Sequence, residues 1–304
     1  MHGHDRIDVS FAGLGAADDV ARYPFGRLLG MLTPNEQAYL YAWAARAYDG
    51  RGAVVDLGCW LGTSTIPLAE GLAANPRANG AVVDAYDQFV WESWMASATI
   101  PSLGDRYRDG DSFLPEYRER TAPYAGRIRV HAGDLNGEHW RGGPIALLFN
   151  DVSKSWSLAA TVLREFWPAA GAGALIVEQD FVHAYCYWLH LIAWAMRDRL
   201  EPVGVVPQAA SFVFRRKEDA ASGITSVGPG DFSAADVDAA YDYALSIVPP
   251  DGASTLLAAK ARCLFERGDR AGVDATWSEV LRLGAPGYYA YNIAMVEREI
   301  FTSR

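Results

Sequence analysis

Along the first two-thirds of the chain, apolar residues fall in short continuous runs separated by turn residues, and this rhythm predicts strands. The runs are Ala53–Leu57, Ala81–Tyr86, Ile128–His131, Ile145–Phe149 and Ala174–Glu178. Most are unbroken rather than alternating, as expected of parallel strands buried on both faces. Helical spacing appears between them, at Ser64–Ala74 and Leu158–Phe166. Strand alternating with helix implies a parallel sheet with right-handed crossovers. An earlier helix is announced by Thr33-Pro34-Asn35-Glu36. Here Thr33 can cap, Pro34 suits the first helical position and Glu36 can close a capping box. Leu40, Trp43, Ala44 and Tyr48 continue its apolar face, and Gly50 and Gly52 end it.

After the fifth strand the pattern predicts a helix over Tyr185–Leu200, then two more strands, Pro202–Val206 and Ser211–Arg215. Only Pro207, Gln208, Ala209 and Ala210 separate that pair, too few for a parallel crossover, so they should form an antiparallel hairpin. The expected fold is therefore α/β: a doubly wound, mostly parallel seven-stranded sheet closed by an antiparallel hairpin, occupying residues 1–217. Residues 218–234, rich in Gly, Ser, Ala and Asp, read as a linker. Residues 235–304 return to helical periodicity, broken near Pro249-Pro250, Gly268-Asp269 and Gly284–Gly287, and form a small α-helical extension. Its stretch from Leu256 to Pro286 resembles one tetratricopeptide-type helix pair turning at Gly268-Asp269.

Composition narrows the function. Half the residues are hydrophobic and the net charge is -10, with Lys+Arg 27 against Asp+Glu 37. No basic block is available to grip a phosphate backbone or an anionic membrane, so neither nucleic acid nor membrane is an expected partner. Three widely spaced cysteines, Cys59, Cys186 and Cys263, argue against a disulfide framework and for a reducing cytoplasm. The chain start, MHGHDRID, has no apolar signal core, and the apolar stretch from Leu189 is cut short by Arg197, Asp198 and Arg199.

The sharpest local signal is Val54-Val55-Asp56-Leu57-Gly58-Cys59-Trp60-Leu61-Gly62-Thr63-Ser64-Thr65: a buried strand, a glycine turn and a helix start. Gly58 permits the tight turn, Gly62 a close approach to the helix, and the helix N-terminus with Ser64 favours an anion. Asp-x-Gly-x-x-x-Gly after an apolar strand resembles motif I of the class I S-adenosylmethionine-dependent methyltransferases. The resemblance spans roughly residues 30–217. It implies that Asp56, Gly58, Gly62 and Ser64 hold the methionine part of S-adenosylmethionine. It further implies that Asp87, ending the second strand, holds the ribose, with Asp84 as the rival. Asp134, in Gly133-Asp134-Leu135 after the third strand, would contact the adenine. The competing reading, an NAD(P)-dependent oxidoreductase, wants glycines at the first, third and sixth positions, where this chain has Gly58, Trp60 and Thr63.

The chemistry is expected at the carboxyl ends of strands four and five, which finish in Phe149-Asn150-Asp151 and Glu178-Gln179-Asp180-Phe181. These ends resemble the macrocin-type sugar O-methyltransferases, in which an Asp from strand four and an Asp pair from strand five hold a divalent ion. Asp151 and Asp180 match, so the resemblance implies Mg²⁺ between them, lowering the pKa of a substrate hydroxyl. The chain departs from that pattern in two places. Gln179 replaces the first Asp of the pair. The family's His-containing run after strand four is Val152-Ser153-Lys154-Ser155-Trp156, where Lys154 would put a positive charge at the ion's position. His183 is the candidate base. His190 is expected to pack, and His131 to line the cofactor pocket. The long stretch Phe89–Tyr124, with Trp91, Trp94, Tyr107, Phe113 and Tyr117, reads as a lid or substrate wall with part of its aromatics in the core. The expected activity is methyl transfer to a hydroxyl of a small molecule, such as a glycosylated natural product, with Asp151, Asp180 and His183 at the chemistry. A third reading is a non-catalytic member of the fold serving as an interaction platform. The tail helices offer a surface for self-association as a homo-oligomer.

Overall fold

Seven strands, β1 (Ala53–Leu57), β2 (Val83–Asp87), β3 (Ile128–Ala132), β4 (Ile145–Asn150), β5 (Ala170–Glu178), β6 (Leu200–Val205) and β7 (Phe212–Arg216), form a single sheet in the order β3-β2-β1-β4-β5-β7-β6. The computed structural model describes residues 7–98, 101–217, 227–285 and 287–302. β1 to β5 run parallel and β7 is antiparallel to both β5 and β6. The order reverses at β1, which pairs with β2 on one side and β4 on the other. That reversal opens a crevice beyond the carboxyl ends of these strands.

Alternate residues of each strand face opposite layers, so the sheet is covered twice. One core gathers Val54, Val83, Leu147, Phe149 and Val177 under α1 (Pro34–Ala42) and α2 (Thr65–Ala74). α1 starts as its sequence demands: Thr33 Oγ1 accepts from Glu36 N–H, and the Glu36 carboxylate accepts from Thr33 N–H at 2.8 Å. Its last turn, Trp43–Ala47, widens to a π-helix. Between β2 and β3 lie α3 (Trp94–Ala98), α4 (Pro101–Gly104) and α5 (Leu114–Thr121).

The opposite face packs Val55, Leu148, Ile176 and Phe214 under α6 (Trp156–Glu165) and α7 (Tyr187–Ala195). That core continues without a break into α8 (Ala234–Ile247), α9 (Ala253–Glu266), α10 (Arg270–Leu283) and α11 (Ala290–Thr302). Tyr241 and Trp277 from these helices share it with Trp188 of α7. Arg262 of α9 locks the join: its guanidinium sits 3.6 Å from the Tyr185 ring centroid, donates to Tyr185 O at 2.9 Å and pairs with Glu299. α9 and α10 meet across Gly268, whose φ of 78° makes the turn. Of the expected linker, residues 218–226 lie outside the described residues. Val227 and Phe232, further along, are buried in the shared core rather than forming a solvated connection. His2, His4 and Pro286 also lie outside the described residues. Among the described residues no helix is long and apolar enough to cross a membrane.

The continuity of this core predicts the outcome of truncation. A chain ending at Lys217 would uncover Trp188, Tyr187 and Ile192, each a large apolar side chain worth roughly 1.5–3 kcal/mol when buried. The expected result is loss of cooperative unfolding by circular dichroism and aggregation on a sizing column.

Candidate functional site

A cavity of about 500 Å³ opens where the sheet order reverses. Gly58, Asp87, Asp134 and Asp151 line it, Asp87 ending β2 and the others lying just past β1, β3 and β4. Met31, Glu92 and Trp94 also line it. Four carboxylates (Asp87, Glu92, Asp134, Asp151) thus face one ammonium, Lys154.

Gly58 makes the turn after β1 with φ 85°. A Cβ there would stand 2.8 Å from the backbone oxygen of Asp151, so glycine lets the β1 turn lie against the end of β4. Asp87 ties the neighbouring turns together. Its Oδ2 accepts from Trp60 N–H at 2.8 Å and its Oδ1 accepts from Phe89 N–H at 2.7 Å. Both donors hold left-handed backbones, with φ 38° at Trp60 and 52° at Phe89. Bulky side chains rarely tolerate that region, so the carboxylate clamps two strained turns at the cavity edge. Burial pushes the Asp87 carboxyl above its ordinary range. Asp134 caps a short turn, accepting from Asn136 N–H at 2.9 Å.

Three residues expected at the cofactor point elsewhere. Asp56 is fully buried behind the turn, where its Oδ2 accepts from Ser64 Oγ at 2.9 Å and Thr65 Oγ1 at 2.6 Å. Ser64 is therefore turned inward too. Burial pushes Asp56 up to about 7. Gly62 meets not a ligand but Thr121 of α5, which an added Cβ would reach at 3.0 Å. The hydroxyls at the start of α2, Ser64 and Thr65, are thus spent on a carboxylate of their own chain. Asp84, the rival acid, is engaged on the outer strand by His131 Nε2 at 2.8 Å and Arg129 at 3.0 Å. His131 stacks on Tyr86 and lies outside this cavity.

Neither a family-model scan nor a search of curated proteins finds a match to this sequence. The solved structure of the O-methyltransferase NovP is 14% identical, with a TM-score of 0.50 over 67% of this chain and 88% of that one. Its likeness and the strand order agree. The fold is that of the class I methyltransferases. Weaker likenesses include cofactor-bound Rv0187 from MTB, 18% identical with a TM-score of 0.38 over 67% of this chain and 89% of that one. Magnesium protoporphyrin IX methyltransferase from Synechocystis PCC 6803, with bound SAM, is 13% identical with a TM-score of 0.34 over 67% and 91%.

In this methyltransferase fold the ends of β4 and β5 meet as the sequence implies, but around a different cation. Lys154 Nζ lies 2.5 Å from Asp151 Oδ1 and closer still to Asp180 Oδ2. The Gln179 amide, turned so that its nitrogen faces the acids, donates to Asp180 Oδ1 at 2.7 Å and Asp151 Oδ1 at 2.9 Å. The donor set does not fit Mg²⁺: both carboxylates are already taken by an ammonium and an amide, and no group of three His, Cys, Asp or Glu among the described residues gathers to hold a metal. The expected ion between Asp151 and Asp180 is corrected accordingly. Burial raises the Asp151 carboxyl, although Lys154 partly offsets it. At Asp180 burial also raises, but Lys154 outweighs it and the carboxyl is held down.

Of the expected chemistry residues only Asp151 reaches the cavity wall. Asp180 sits behind Lys154, with Cys186 Sγ at 3.6 Å. His183 is not at a helix start but in the turn before α7, where its Nδ1 accepts from Tyr185 N–H at 3.1 Å. Burial lowers its pKa, so it rests neutral. His190 packs as expected, fully buried with Nε2 2.6 Å from Phe181 O. The long insert splits: Trp91, Phe113 and Tyr117 are buried in their own cluster with Phe89, whereas Trp94 stands half exposed on the cavity wall. Two features of Trp60 carry no sequence signal: its strained backbone, and its indole Nε1, buried without a hydrogen-bond partner among the described residues.

Glu178, beside this cluster, is buried and accepts from Asn150 Nδ2 at 2.7 Å. Burial pushes it up to about 8 from 4.5. A carboxyl raised on folding binds its proton more tightly in the native state, so stability falls as pH rises from the unfolded value near 4.5 to about 8. Glu178→Gln keeps an oxygen acceptor and removes the titration. The expected result is a variant with a flatter stability profile over that window, and more stable at pH 8 by a few kcal/mol in urea melts.

Proposed function

We propose that this protein transfers a methyl group from S-adenosylmethionine to a hydroxyl of a small molecule. The observation that carries the reading is the acid-lined cavity at the reversal of the sheet, with Asp87, Asp134 and Asp151 on its wall. S-adenosylmethionine bears an ammonium and a sulfonium against one carboxylate, so it suits a cavity with four acids and one lysine. A nicotinamide dinucleotide brings a pyrophosphate, which seeks a free helix N-terminus. Here the phosphates would meet the carboxylates Asp87 and Glu92 on the wall.

The residues present fit the cofactor. Asp87 is placed to accept from ribose hydroxyls, Asp134 with Leu135 to meet the adenine, and Gly58 with Trp60 to border the methionine part. Bound there, the cofactor supplies an electrophilic methyl group. An acceptor oxygen taking up that methyl would have to give its proton to a base of this chain. Asp151 serves: it is a carboxylate on the wall whose burial raises its proton affinity. Trp60 and Trp94 supply aromatic faces for a sugar or other planar acceptor.

The test uses tritiated S-adenosylmethionine with a panel of glycosides, phenols and polyols. Wild type should transfer label to at least one hydroxylated compound. Asp151→Asn should lose about 10²- to 10⁴-fold in kcat while binding S-adenosylhomocysteine normally. Label moving to an amine instead, or an unimpaired Asp151→Asn, would refute the assignment.

A further inference from the structure

We propose that Lys154 is a built-in replacement for a divalent cation: its ammonium, fixed between Asp151 and Asp180, presents the positive charge that holds the acceptor oxygen at the cavity wall. The metal-excluding half of this stands without the proposed activity; the acceptor half rests on it.

The geometry carries the argument. An ammonium has three N–H donors. Asp151 Oδ1 and Asp180 Oδ2 take two of them. With the Gln179 amide turned to donate to the acids, its oxygen leaves the place 3.4 Å from Lys154 Nζ, so the third is left for an oxygen in the cavity that Lys154 lines, and the lysine side chain keeps 46% of its surface exposed. The acids are nearly covered, with side chains 12% and 13% exposed, so their charge needs an internal partner. Gln179 completes the arrangement by donating to one oxygen of each. A carboxylate at position 179 would add a third negative charge and call for a divalent ion; an amide balances the cluster around a monovalent one.

The lysine lies three residues after Asp151, beyond the end of β4, with its backbone N–H donating to Val152 O at 2.7 Å. Trp188 Nε1 donates to Ser153 O at 2.7 Å and fixes the segment from the α7 side. The ammonium is therefore delivered by a braced turn rather than by a loose loop. A fixed donor aimed where charge develops on an oxygen is the kind of contact whose loss costs about 10²- to 10³-fold in rate.

The decisive experiment is Mn²⁺ binding to the full chain, followed by electron paramagnetic resonance of the free ion. Wild type should leave the free Mn²⁺ signal unchanged. Lys154→Ala combined with Gln179→Asp should bind one Mn²⁺ per chain, and adding Asp180→Asn should abolish that binding. Wild type binding Mn²⁺, with loss on Asp151→Asn, would overturn the proposal. So would a folded double variant that binds none. Folding is read by circular dichroism and a urea melt. If the double variant does not fold, Lys154→Ala and Lys154→Met alone decide: the first must gain Mn²⁺ affinity and the second, with its apolar side chain filling the place, must not.

The acceptor half is read on whichever hydroxyl compound is labelled. Wild-type turnover should be equal in EDTA and in Mg²⁺, Lys154→Arg should retain part of it, and Lys154→Met should lose about a hundredfold in kcat. Turnover that EDTA abolishes, or a fully active Lys154→Met, would overturn it. Absence of S-adenosylhomocysteine binding would strike the proposed function and leave the Mn²⁺ result standing.

Discussion

Asp87→Asn is expected to cost S-adenosylhomocysteine affinity about a hundredfold and to destabilise the protein at the same time. The wild-type carboxylate accepts two backbone N–H groups, one from Trp60 and one from Phe89. Asparagine has one oxygen and one NH₂, so one of those two donors would face another donor. Leaving a buried N–H unsatisfied costs about 1–3 kcal/mol. The partners make the loss larger than at an ordinary turn, because Trp60 and Phe89 are held in left-handed backbone conformations that release once the clamp opens. A hundredfold loss corresponds to about 2.7 kcal/mol. Titration calorimetry with S-adenosylhomocysteine and a urea melt should move together. Full affinity in a destabilised variant would separate the clamp from the cofactor and remove Asp87 from the site.

Gly58→Ala should be more damaging to the fold. Two costs combine. A left-handed alanine is worth roughly 1–2 kcal/mol against it. The new Cβ would also stand 2.8 Å from Asp151 O and 2.9 Å from its carbonyl carbon, and both neighbours are backbone that cannot rotate away. Either β1 or the end of β4 must shift, carrying Asp151 and Lys154 with it. Gly80→Ala is the control, because Gly80 has a similar φ of 78° with nothing within 4 Å of the added Cβ. It should lose only the dihedral part. Gly58→Ala should lose about 3 kcal/mol or more, within the range of strained, overpacked substitutions. Equal effects in urea melts would show that the close approach to β4 is unimportant.

Much of the fold was legible because it rests on local patterns. The continuous apolar runs placed β1 to β5, and a gap of four residues was enough to make β6 and β7 antiparallel. The misses have local causes that patterns do not show. β5 begins at Ala170, four residues before its apolar run, since Gly171 and Gly173 continue the strand without apolar side chains. β2 begins at Val83 because the turn at Asn79 and Gly80 extends to a bond from Ala81 N–H to Ala78 O. At the site, Gly58, Asp87, Asp134 and Asp151 are strand-end residues, which topology brings together. Asp56 Oδ2 takes the hydroxyls of Ser64 and Thr65, a tertiary event invisible in a linear motif. The left-handed backbones of Trp60 and Phe89 could not be read, because neither residue type favours them. Lys154 was noticed as a displaced charge, but its second partner, Asp180, is on the next strand's end.

The central claim is that the cavity beside Gly58 and Asp87 takes S-adenosylmethionine. Titration calorimetry of the full chain with S-adenosylhomocysteine and, separately, with NAD⁺ and NADP⁺ tests it directly. The account predicts saturable binding of the first at one site per chain, weakened by Asp87→Asn, and no heat from the dinucleotides. Binding of a dinucleotide with none of S-adenosylhomocysteine would contradict it.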